Sequence, residues 1–346
     1  MASSSSRLLV ALKPRDAIPA ALARGLPEVA WAYAAAEHPE SWEAIEAILV
    51  GSVDRELGAF DAARTPRLAF VQRLYTGLDG FPFERFPERV KVAGNVGAYA
   101  PFVAEHAVAL ALAAARAIVP AQAQVRARSL RPAPEIRLLF GGSATILGYG
   151  EIGRAIARRL AGFEMRIAGV NRSGRMAPGC SAMWPADRLV DAVADADLVF
   201  DARPLTLATA GTIGATELAA MRPTAIYVNV GRAGTVDEAA LYRHLVNHPE
   251  FRAALDVWWE EDFAHGTFES RFAFSELSNF VGTPHCAGFG PSVAVESYVL
   301  ARAVENLARY FRGEPPQYVV DRREYVRPSS TGSSVPAPRE GPGRNR

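Results

Sequence analysis

An apolar strand, a glycine-rich turn and a helix follow one another within residues 144–173, and this order restricts the possible folds more than any other stretch. The glycines after the strand at 144–147 have the spacing G-x-G-x-x-G. In a dinucleotide-binding fold the first glycine permits a tight turn, the second lets the backbone approach a pyrophosphate, and the third lets the helix pack against the strand. A helix at 154–160 and a second strand at 165–170 complete the pattern, which predicts a dinucleotide site in preference to a structural turn. The predicted members of this site are Gly148, Tyr149, Gly150, Glu151, Ile152 and Gly153.

The end of the second strand indicates which dinucleotide is bound. An acidic residue there would accept a hydrogen bond from the ribose 2′-hydroxyl of NAD(H). This chain has Asn171, Arg172 and Ser173 instead, with Arg175 just beyond. A guanidinium group matches a phosphate, while amide and hydroxyl groups add neutral donors. The segment therefore predicts a preference for NADP(H), with NAD(H) possible; the alternative interpretation is a pair of solvated loop arginines.

Length and composition narrow the class of protein. A chain of 346 residues is long enough for two domains, and 49% hydrophobic with 22% charged residues is typical of a globular protein. The formal net charge of +1 gives no electrostatic reason to expect nucleic acid or an anionic membrane as a partner. Residues 107–115 are too short an apolar stretch to span a bilayer and are interpreted as a buried helix. Cys180 and Cys286 form neither a disulfide framework nor a zinc pattern, which favours a reducing cytoplasm.

Short apolar strands alternate with helices along the whole chain. The first group of predicted strands lies at 8–12, 47–50, 69–75 and 90–98. The later group lies at 198–200, 225–228, 253–257 and 280–282. This rhythm predicts an α/β protein with two Rossmann-like or flavodoxin-like domains, each built on a doubly wound parallel sheet, and a cleft between them.

The strand groups suggest domain boundaries. The predicted substrate domain comprises residues 1–97 and 292–326, and the predicted dinucleotide-binding domain comprises residues 98–291. Residues 327–346 are rich in Ser, Pro, Gly and Arg and are expected to be a disordered tail.

Two helices are prominent in the sequence. An alanine-rich helix is predicted at 103–119, ended by Pro120, and its composition fits either a buried helix or a subunit interface. A long amphipathic helix is predicted at 293–311, and residues 317–321 after it are expected to return to the first domain.

Polar residues follow several predicted strands, the position where α/β sheets keep their sites. Arg232 could hold a carboxylate in a bidentate pair, His285 could exchange a proton near neutral pH, and Glu261 could orient and charge-stabilise the imidazole. The loop at 76–80 could present backbone N–H groups to a substrate carboxylate. Each side chain also has an ordinary interpretation: a loop cap for Arg232, a satisfied core imidazole for His285 and a solvated acid for Glu261.

Several blocks of the sequence occur in a recognisable order and spacing. These are TGLDGF, NVGAYAPFVAEH, LGYGEIG, RPLTLATAG, VNVGRAGTVDEAAL, ALDVWWEED and TPH. In them, from about Leu68 to Val320, the chain resembles the D-isomer-specific 2-hydroxyacid dehydrogenases, which include glyoxylate/hydroxypyruvate reductases. The resemblance implies an NADP(H)-dependent enzyme that transfers hydride between the nicotinamide and carbon 2 of a 2-oxoacid or 2-hydroxyacid, with a histidine as acid/base. It also implies a homodimer joined through the cofactor domains.

The resemblance assigns roles to individual residues. The implied catalytic set is Arg232, Glu261 and His285. The implied substrate-binding residues are Thr76, Gly77, Leu78, Asn95, Arg232 and His285. The implied cofactor-binding residues beyond the glycine turn are Asn171, Arg172, Ser173, Pro204, Thr209, Val230, Gly231 and Asp256, with Asp256 near the nicotinamide carboxamide. No metal site is expected, and the pair His244 and His248 is interpreted as a surface helix end.

Some residues depart from the family pattern. After the TPH block, this chain has Cys286 and Phe289 at positions where the family usually has other residues. Trp258 and Trp259 precede Glu261, and the aromatic residues are expected to shape the pocket. Cys286 is interpreted as a small buried residue rather than a nucleophile, because hydride transfer needs no covalent intermediate.

Alternative activities are also considered. Thr76 stands where phosphite dehydrogenases have a lysine, and Glu261 is acidic where formate dehydrogenases have a glutamine, so both activities are disfavoured. The remaining alternative is a catalytically weak, dinucleotide-sensing binding protein, because the same fold serves transcriptional corepressors.

Overall fold

The computed structural model describes residues 6–34, 42–58, 60–130, 135–288 and 293–325. The predicted tail at 327–346, the boundary between residues 291 and 292, and Phe289 lie outside the described residues. The boundary between residues 97 and 98 stays a prediction. Within the described ranges the strands form a five-stranded parallel sheet, a seven-stranded parallel sheet and a two-stranded antiparallel hairpin.

The first sheet is formed by the N-terminal part of the chain. Its strands are β1 (Leu8–Val10), β2 (Trp31–Tyr33), β3 (Ala47–Val50), β4 (Phe70–Arg73) and β5 (Lys91–Ala93). They lie in the order β2-β1-β3-β4-β5, which is the flavodoxin-like arrangement. One face packs against the helices α1 (Ala17–Gly25) and α9 (Val293–Phe311), and the other against a cluster that includes Phe81, Phe83 and Phe86. The strands β1 and β3 are apolar throughout because both faces of this sheet are buried. A short helix, α2 (Val53–Glu56), follows β3.

The second sheet lies in the part of the chain that contains the glycine turn. Its strands are β6 (Ser143–Leu147), β7 (Arg166–Asn171), β8 (Ala182–Pro185), β9 (Leu198–Asp201), β10 (Ile226–Asn229), β11 (Arg252–Leu255) and β14 (Phe280–Gly282). The order is β14-β11-β10-β9-β6-β7-β8, so the strand order reverses between β6 and β9. This is the doubly wound order of dinucleotide-binding folds, in which a ligand crevice opens at the carboxyl ends of the strands on either side of the reversal. The predicted fold class is confirmed.

Helices cover both faces of the second sheet. They are α3 (Ala100–Ala115), α4 (Ile118–Arg126), α5 (Glu151–Leu160), α6 (Leu189–Val193), α7 (Ala215–Ala220) and α8 (Glu238–Asn247). The small residues of α3 are buried with those of α5 in one core cluster, so close internal packing explains the alanine-rich composition of α3.

The prediction that Pro120 ends the alanine-rich helix is wrong. The helix α3 stops at Ala115, Ala117 adopts a left-handed conformation with φ of 51°, and Pro120 lies in the first turn of α4. Proline is tolerated there because the first N–H groups of a helix have no intrahelical acceptor.

Three described elements were not predicted: β2, β8 and the hairpin of β12 (Glu260–Asp262) with β13 (Thr267–Glu269). All are short and partly or fully exposed. The strands β2 and β8 are apolar but have only 3 and 4 residues, and the strands of the hairpin are mostly polar, so none forms a long apolar run. The expected return of residues 317–321 is confirmed, because the Val320 N–H donates to the Val92 carbonyl at 3.0 Å.

Among the described residues, no single helix is long and apolar enough to cross a membrane. The helices α3 and α4 together have the length and apolar composition of a membrane span, but the chain bends by 62° between them.

Candidate active site

The glycine turn lies at the carboxyl end of β6 and leads into α5, the position that the sequence predicts. Gly148 has φ of 86°, in the left-handed region that favours glycine. A Cβ on Gly153 would lie 2.5 Å from the Gly148 carbonyl oxygen, so the helix can approach the turn this closely only with glycine. A Cβ on Gly150 would meet nothing within 4 Å, so the space in front of the helix N-terminus is open. Open space beside helix N–H groups fits the phosphates of a dinucleotide.

The other residues of the turn hold its shape. Tyr149 packs against Gly169, and its hydroxyl donates to the Pro178 carbonyl at 3.0 Å. Burial raises the pKa of Tyr149 to about 12, so the phenol stays neutral. Glu151 accepts a hydrogen bond from Arg154 at 2.6 Å, and Ile152 packs against the core of the second sheet.

The residues predicted to read the adenosine ribose lie at the end of β7. Asn171 organises the turn, since its side-chain oxygen accepts from the Ser173 N–H at 3.1 Å and its amide donates to the Arg175 carbonyl at 2.8 Å. The exposed Arg172 guanidinium donates to Glu324 at 2.7 Å. The turn therefore places an arginine, a hydroxyl and an amide where the sequence analysis expects them.

Two loops at the carboxyl ends of β9 and β10 contain further predicted cofactor residues. Thr209 closes the first loop by donating to the Pro204 carbonyl at 2.6 Å. In the second loop, the N–H groups of Val230 and Gly231 donate to the Asp201 carbonyl at 3.0 and 3.1 Å. A Cβ on Gly231 would lie 2.5 Å from the Arg203 carbonyl oxygen, so the two loops touch directly.

A buried ion pair joins these loops. Arg203 donates to both carboxylate oxygens of Asp201, at 2.9 and 2.6 Å, and to the Thr212 hydroxyl at 2.8 Å. Asp201 also accepts from Tyr227 and Thr235. Sequence analysis missed this pair, although charged residues directly after the strand at 198–200 were a usable signal.

The fold brings Glu261 and His285, the predicted acid/base pair, into contact. Glu261 Oε1 lies 2.7 Å from His285 Nδ1, and the same oxygen accepts from the Trp258 N–H at 2.9 Å. The side chains are 14% and 19% exposed for Glu261 and His285. His285 has φ of 51°, a conformation that non-glycine residues seldom adopt and that is enriched at functional sites.

Arg232 lies against the substrate loop of the first sheet. Its Nε donates to Asp79 Oδ2 at 2.9 Å, and its Nη1 donates to the Gly231 carbonyl at 2.8 Å. A Cβ on Gly77 would lie 2.1 Å from Arg232 Nη2, so a larger residue here would displace the guanidinium from its present position. The structure therefore brings Arg232 to the loop that was predicted to bind a carboxylate. Asp79, which sequence analysis did not select, lies inside the TGLDGF block.

The remaining predicted substrate residues shape this loop. The Thr76 hydroxyl donates to the Asn95 carbonyl at 3.1 Å, and the buried Asn95 amide donates to the Leu74 and Val299 carbonyls at 3.0 and 2.9 Å. The Leu78 side chain is buried in the core of the first sheet. Arg73, whose pKa is lowered by burial, donates to the Gly77 carbonyl. Direct contact of Thr76, Leu78 or Asn95 with a substrate stays a prediction.

Asp256 anchors the loop that carries His285. Its oxygens accept from the Thr283 hydroxyl at 2.6 Å and from the N–H groups of Cys286 and Ala287, both at 2.9 Å. Burial favours a higher pKa, but hydrogen bonds from His106, Thr283, Ala287 and Cys286 outweigh it, so the pKa of Asp256 lies below its usual value. The predicted contact with a nicotinamide carboxamide is not tested by these bonds.

The unusual residues near the site have defined positions. The Trp258 indole donates to the Thr283 carbonyl and the Trp259 indole to the Val236 carbonyl, both at 3.0 Å, so the two rings support loops of the site. Burial and Asp256 raise the pKa of the Cys286 thiol, which does not favour a nucleophilic thiolate. A ring nitrogen of His106, a carboxylate oxygen of Asp256 and the sulfur of Cys286 lie within 4.8 Å of one another.

Comparisons with known proteins agree with this geometry. Residues 108–287 match the family described as D-isomer specific 2-hydroxyacid dehydrogenase, NAD binding domain. The chain is 32% identical over 290 residues to a glyoxylate reductase from Pyrococcus furiosus, covering 81% of this chain and 82% of that protein. It is 33% identical over 227 residues to a hydroxypyruvate reductase from Thermotoga maritima, covering 63% and 70% of the two chains. A crystal structure of a D-isomer specific 2-hydroxyacid dehydrogenase from Xanthobacter autotrophicus Py2, in complex with NADPH and MES, matches with a TM-score of 0.78 at 26% identity and covers 93% and 100%.

The doubly wound sheet and the glycine turn define a dinucleotide-binding protein. The chain belongs to the D-isomer specific 2-hydroxyacid dehydrogenase family. It is accordingly an NAD(P)-dependent oxidoreductase that acts on CH–OH donors.

Proposed function

We propose that the protein is an NADP(H)-dependent D-2-hydroxyacid dehydrogenase that works as a 2-oxoacid reductase. The observation that carries this proposal is the 2.7 Å contact between Glu261 and His285, with His285 held in a left-handed backbone conformation. Relatives that are named glyoxylate reductase and hydroxypyruvate reductase support a small 2-oxoacid as substrate.

In this proposal each residue of the site has a separate role. Arg232 and the backbone of Gly77 and Leu78 hold the substrate carboxylate, because a guanidinium can pair with it in a bidentate manner. Glu261 accepts from Nδ1 of His285 and orients the ring, so the proton given to the keto oxygen is the one at Nε2. Bound NADPH supplies the hydride. The same groups act in reverse when a 2-hydroxyacid is oxidised.

The test is steady-state NADPH oxidation with glyoxylate, hydroxypyruvate, pyruvate and phenylpyruvate. His285→Ala and Arg232→Ala are each expected to lower turnover by about 10²- to 10⁴-fold, because each removes a group that acts on the reacting atoms. Retained NADPH binding, followed by fluorescence, shows that the variants are folded. His248→Ala and Arg55→Ala replace exposed residues of the same types and are expected to leave turnover unchanged. Near-normal turnover in either site variant contradicts the proposal.

A binding protein is the second candidate. Tight NADPH binding by the wild-type protein, without turnover of any 2-oxoacid, would favour dinucleotide sensing over catalysis.

The preference for NADP(H) rests on Arg172 and its neighbours Asn171 and Ser173. The relative from Xanthobacter autotrophicus was crystallised with NADPH, which agrees with this choice. Arg172→Ala is expected to raise the KM for NADPH at least about tenfold while the KM for NADH stays within twofold, since only NADPH has a 2′-phosphate on the adenosine ribose for the guanidinium to bind. A wild-type preference for NADH contradicts this assignment.

We also propose a cytoplasmic homodimer. Exposed large apolar side chains concentrate on α4 and the segment after it: Ile118, Val119, Val125, Ile136, Leu138 and Phe140. Such a concentration marks a surface that a second copy can cover. Sedimentation equilibrium tests this directly: wild type is expected at twice the chain mass, and Leu138→Asp with Phe140→Asp at the chain mass.

A further inference from the structure

The hairpin of β12 and β13 presents two side chains to His285. Within β12, the side chain of Glu261 faces the side opposite to those of Glu260 and Asp262. Phe263 is the first residue of the turn that follows β12. Glu261 contacts Nδ1 of His285, and the Phe263 ring lies edge-to-face on the imidazole, with 5.1 Å between ring centroids and an interplanar angle of 74°. One short segment therefore supplies both the carboxylate and an aromatic neighbour of the acid/base residue.

Phe263 is only partly covered by this contact. The residue is 51% exposed, although it contacts a pair that is mostly buried. A keto oxygen that takes a proton from Nε2 must lie within about 2.6–3.2 Å of that nitrogen. The keto carbon then lies close to the imidazole, and a substituent of a few carbons on it can reach the Phe263 ring.

The turn that carries Phe263 has a defined conformation. Asp262 accepts from the N–H groups of Ala264 and His265 at 2.8 and 3.1 Å, and its carboxylate pairs with the His265 ring at 2.6 Å. At the base of the hairpin, Phe268 stacks on Trp258 with 4.2 Å between centroids. The backbone that carries Phe263 is thus ordered before a substrate arrives, so contact with its ring would need little reordering of the chain.

We propose that Phe263 is a specificity-determining residue that contacts the side chain of the bound 2-oxoacid. The inference deepens the proposed function and rests on it. The preferred substrates are then 2-oxoacids with an apolar side chain of several carbons or an aromatic ring, rather than glyoxylate, which offers Phe263 only a hydrogen atom.

The experiment compares kcat/KM for phenylpyruvate and for glyoxylate at saturating NADPH. Wild type is expected to prefer phenylpyruvate. Phe263→Ala is expected to lower the phenylpyruvate-to-glyoxylate ratio at least about tenfold, the discrimination that an apolar contact commonly provides. Phe263→Leu keeps apolar bulk and is expected to lower the ratio less than Phe263→Ala. Thermal melting and NADPH fluorescence check that each variant is folded.

The outcomes separate this inference from the proposed function. No turnover of any 2-oxoacid by the wild type contradicts both. Turnover with a preference for glyoxylate, or an equal loss for both acids in Phe263→Ala, contradicts the inference alone. An equal loss with a displaced pH profile would mean that Phe263 only shields the Glu261–His285 pair from water. If Phe263→Ala fails to fold, the wild-type ratio of kcat/KM for the two acids and the ratio for Phe263→Leu still test the inference.

Discussion

Two arginine–aspartate pairs at the site differ in their surroundings. Arg203 and Asp201 are two residues apart within one sheet, and their side chains are 8% and 0% exposed. Both carboxylate oxygens of Asp201 accept from Arg203, and Oδ2 also accepts from Tyr227 and Thr235. Arg232 and Asp79 come from different sheets, 153 residues apart, and their side chains are 28% and 29% exposed. Among the described residues, Asp79 Oδ1 is buried and has no hydrogen-bond partner.

The difference separates structure from function. The Arg203–Asp201 pair is buried and both carboxylate oxygens have donors, so it is closed to a ligand, and its cost of desolvation is met by its neighbours. Asp79 Oδ1 can only accept a hydrogen bond, so it cannot bind a substrate carboxylate. The Arg232 guanidinium donates through Nε and Nη1 within the protein, so its Nη2 is the group that can donate to a substrate. We therefore expect the Arg203–Asp201 pair to govern folding and the Arg232–Asp79 pair to govern substrate binding.

The largest expected effect is on stability. Arg203→Met should lower the free energy of unfolding by about 3–5 kcal/mol, because it leaves the Asp201 carboxylate buried without its counter-ion. Urea denaturation measures this. The double variant Arg203→Met with Asp201→Leu should recover most of the loss, since it removes the second charge as well. A single variant within about 1 kcal/mol of wild type would break the comparison.

The next effect is on activity. Asp79→Asn should lower kcat/KM for the 2-oxoacid by about 10²-fold, because a misoriented Arg232 no longer places the carboxylate correctly. Its free energy of unfolding should stay within about 1 kcal/mol of wild type, as for other half-exposed pairs. Asp54→Asn, at a carboxylate of the same domain that pairs with Arg85, is the control and should change neither quantity. A stability loss as large as that of Arg203→Met would show that both pairs are structural.

A pH effect extends the comparison to Asp256, a second carboxylate with filled hydrogen-bonding capacity. Its folded-state pKa is lowered, so its contribution to stability is present above the unfolded value of about 3.9 and is lost as pH falls through the folded value. Below about pH 4 the free energy of unfolding of wild type should fall more steeply than that of Asp256→Asn, by up to about 1.4 kcal/mol per pH unit. Parallel curves would contradict the lowered pKa.

The smallest effect concerns an exposed pair, Arg172 with Glu324. Glu324→Ala should change the free energy of unfolding by less than about 1 kcal/mol, because solvent and salt screen exposed charges. Thermal denaturation in low and high salt measures it. A loss comparable to that of Arg203→Met would show that exposure does not decide how much these ion pairs contribute to the free energy of unfolding.

Sequence reasoning reached the fold and much of the site because both leave local signals. Buried parallel strands are short apolar runs, and the glycine spacing is fixed by backbone contacts such as that of Gly153 with the Gly148 carbonyl. Sequence reasoning did not reach Asp79, the Arg203–Asp201 pair or the hairpin that positions Phe263. Their importance depends on partners distant in sequence or on exposed strands with no apolar pattern.

The sequence by itself determined the class of this protein. The repeated strands and the glycine turn indicate a dinucleotide-binding fold, and the ordered sequence blocks carry the resemblance to 2-hydroxyacid dehydrogenases. Each of these signals lies within a few neighbouring residues. The tertiary structure decided which charged side chains are buried in ion pairs and which are partly exposed to a ligand. It set Arg232 against Gly77 and Phe263 against His285, contacts that exist only once two sheets and a hairpin have been packed together.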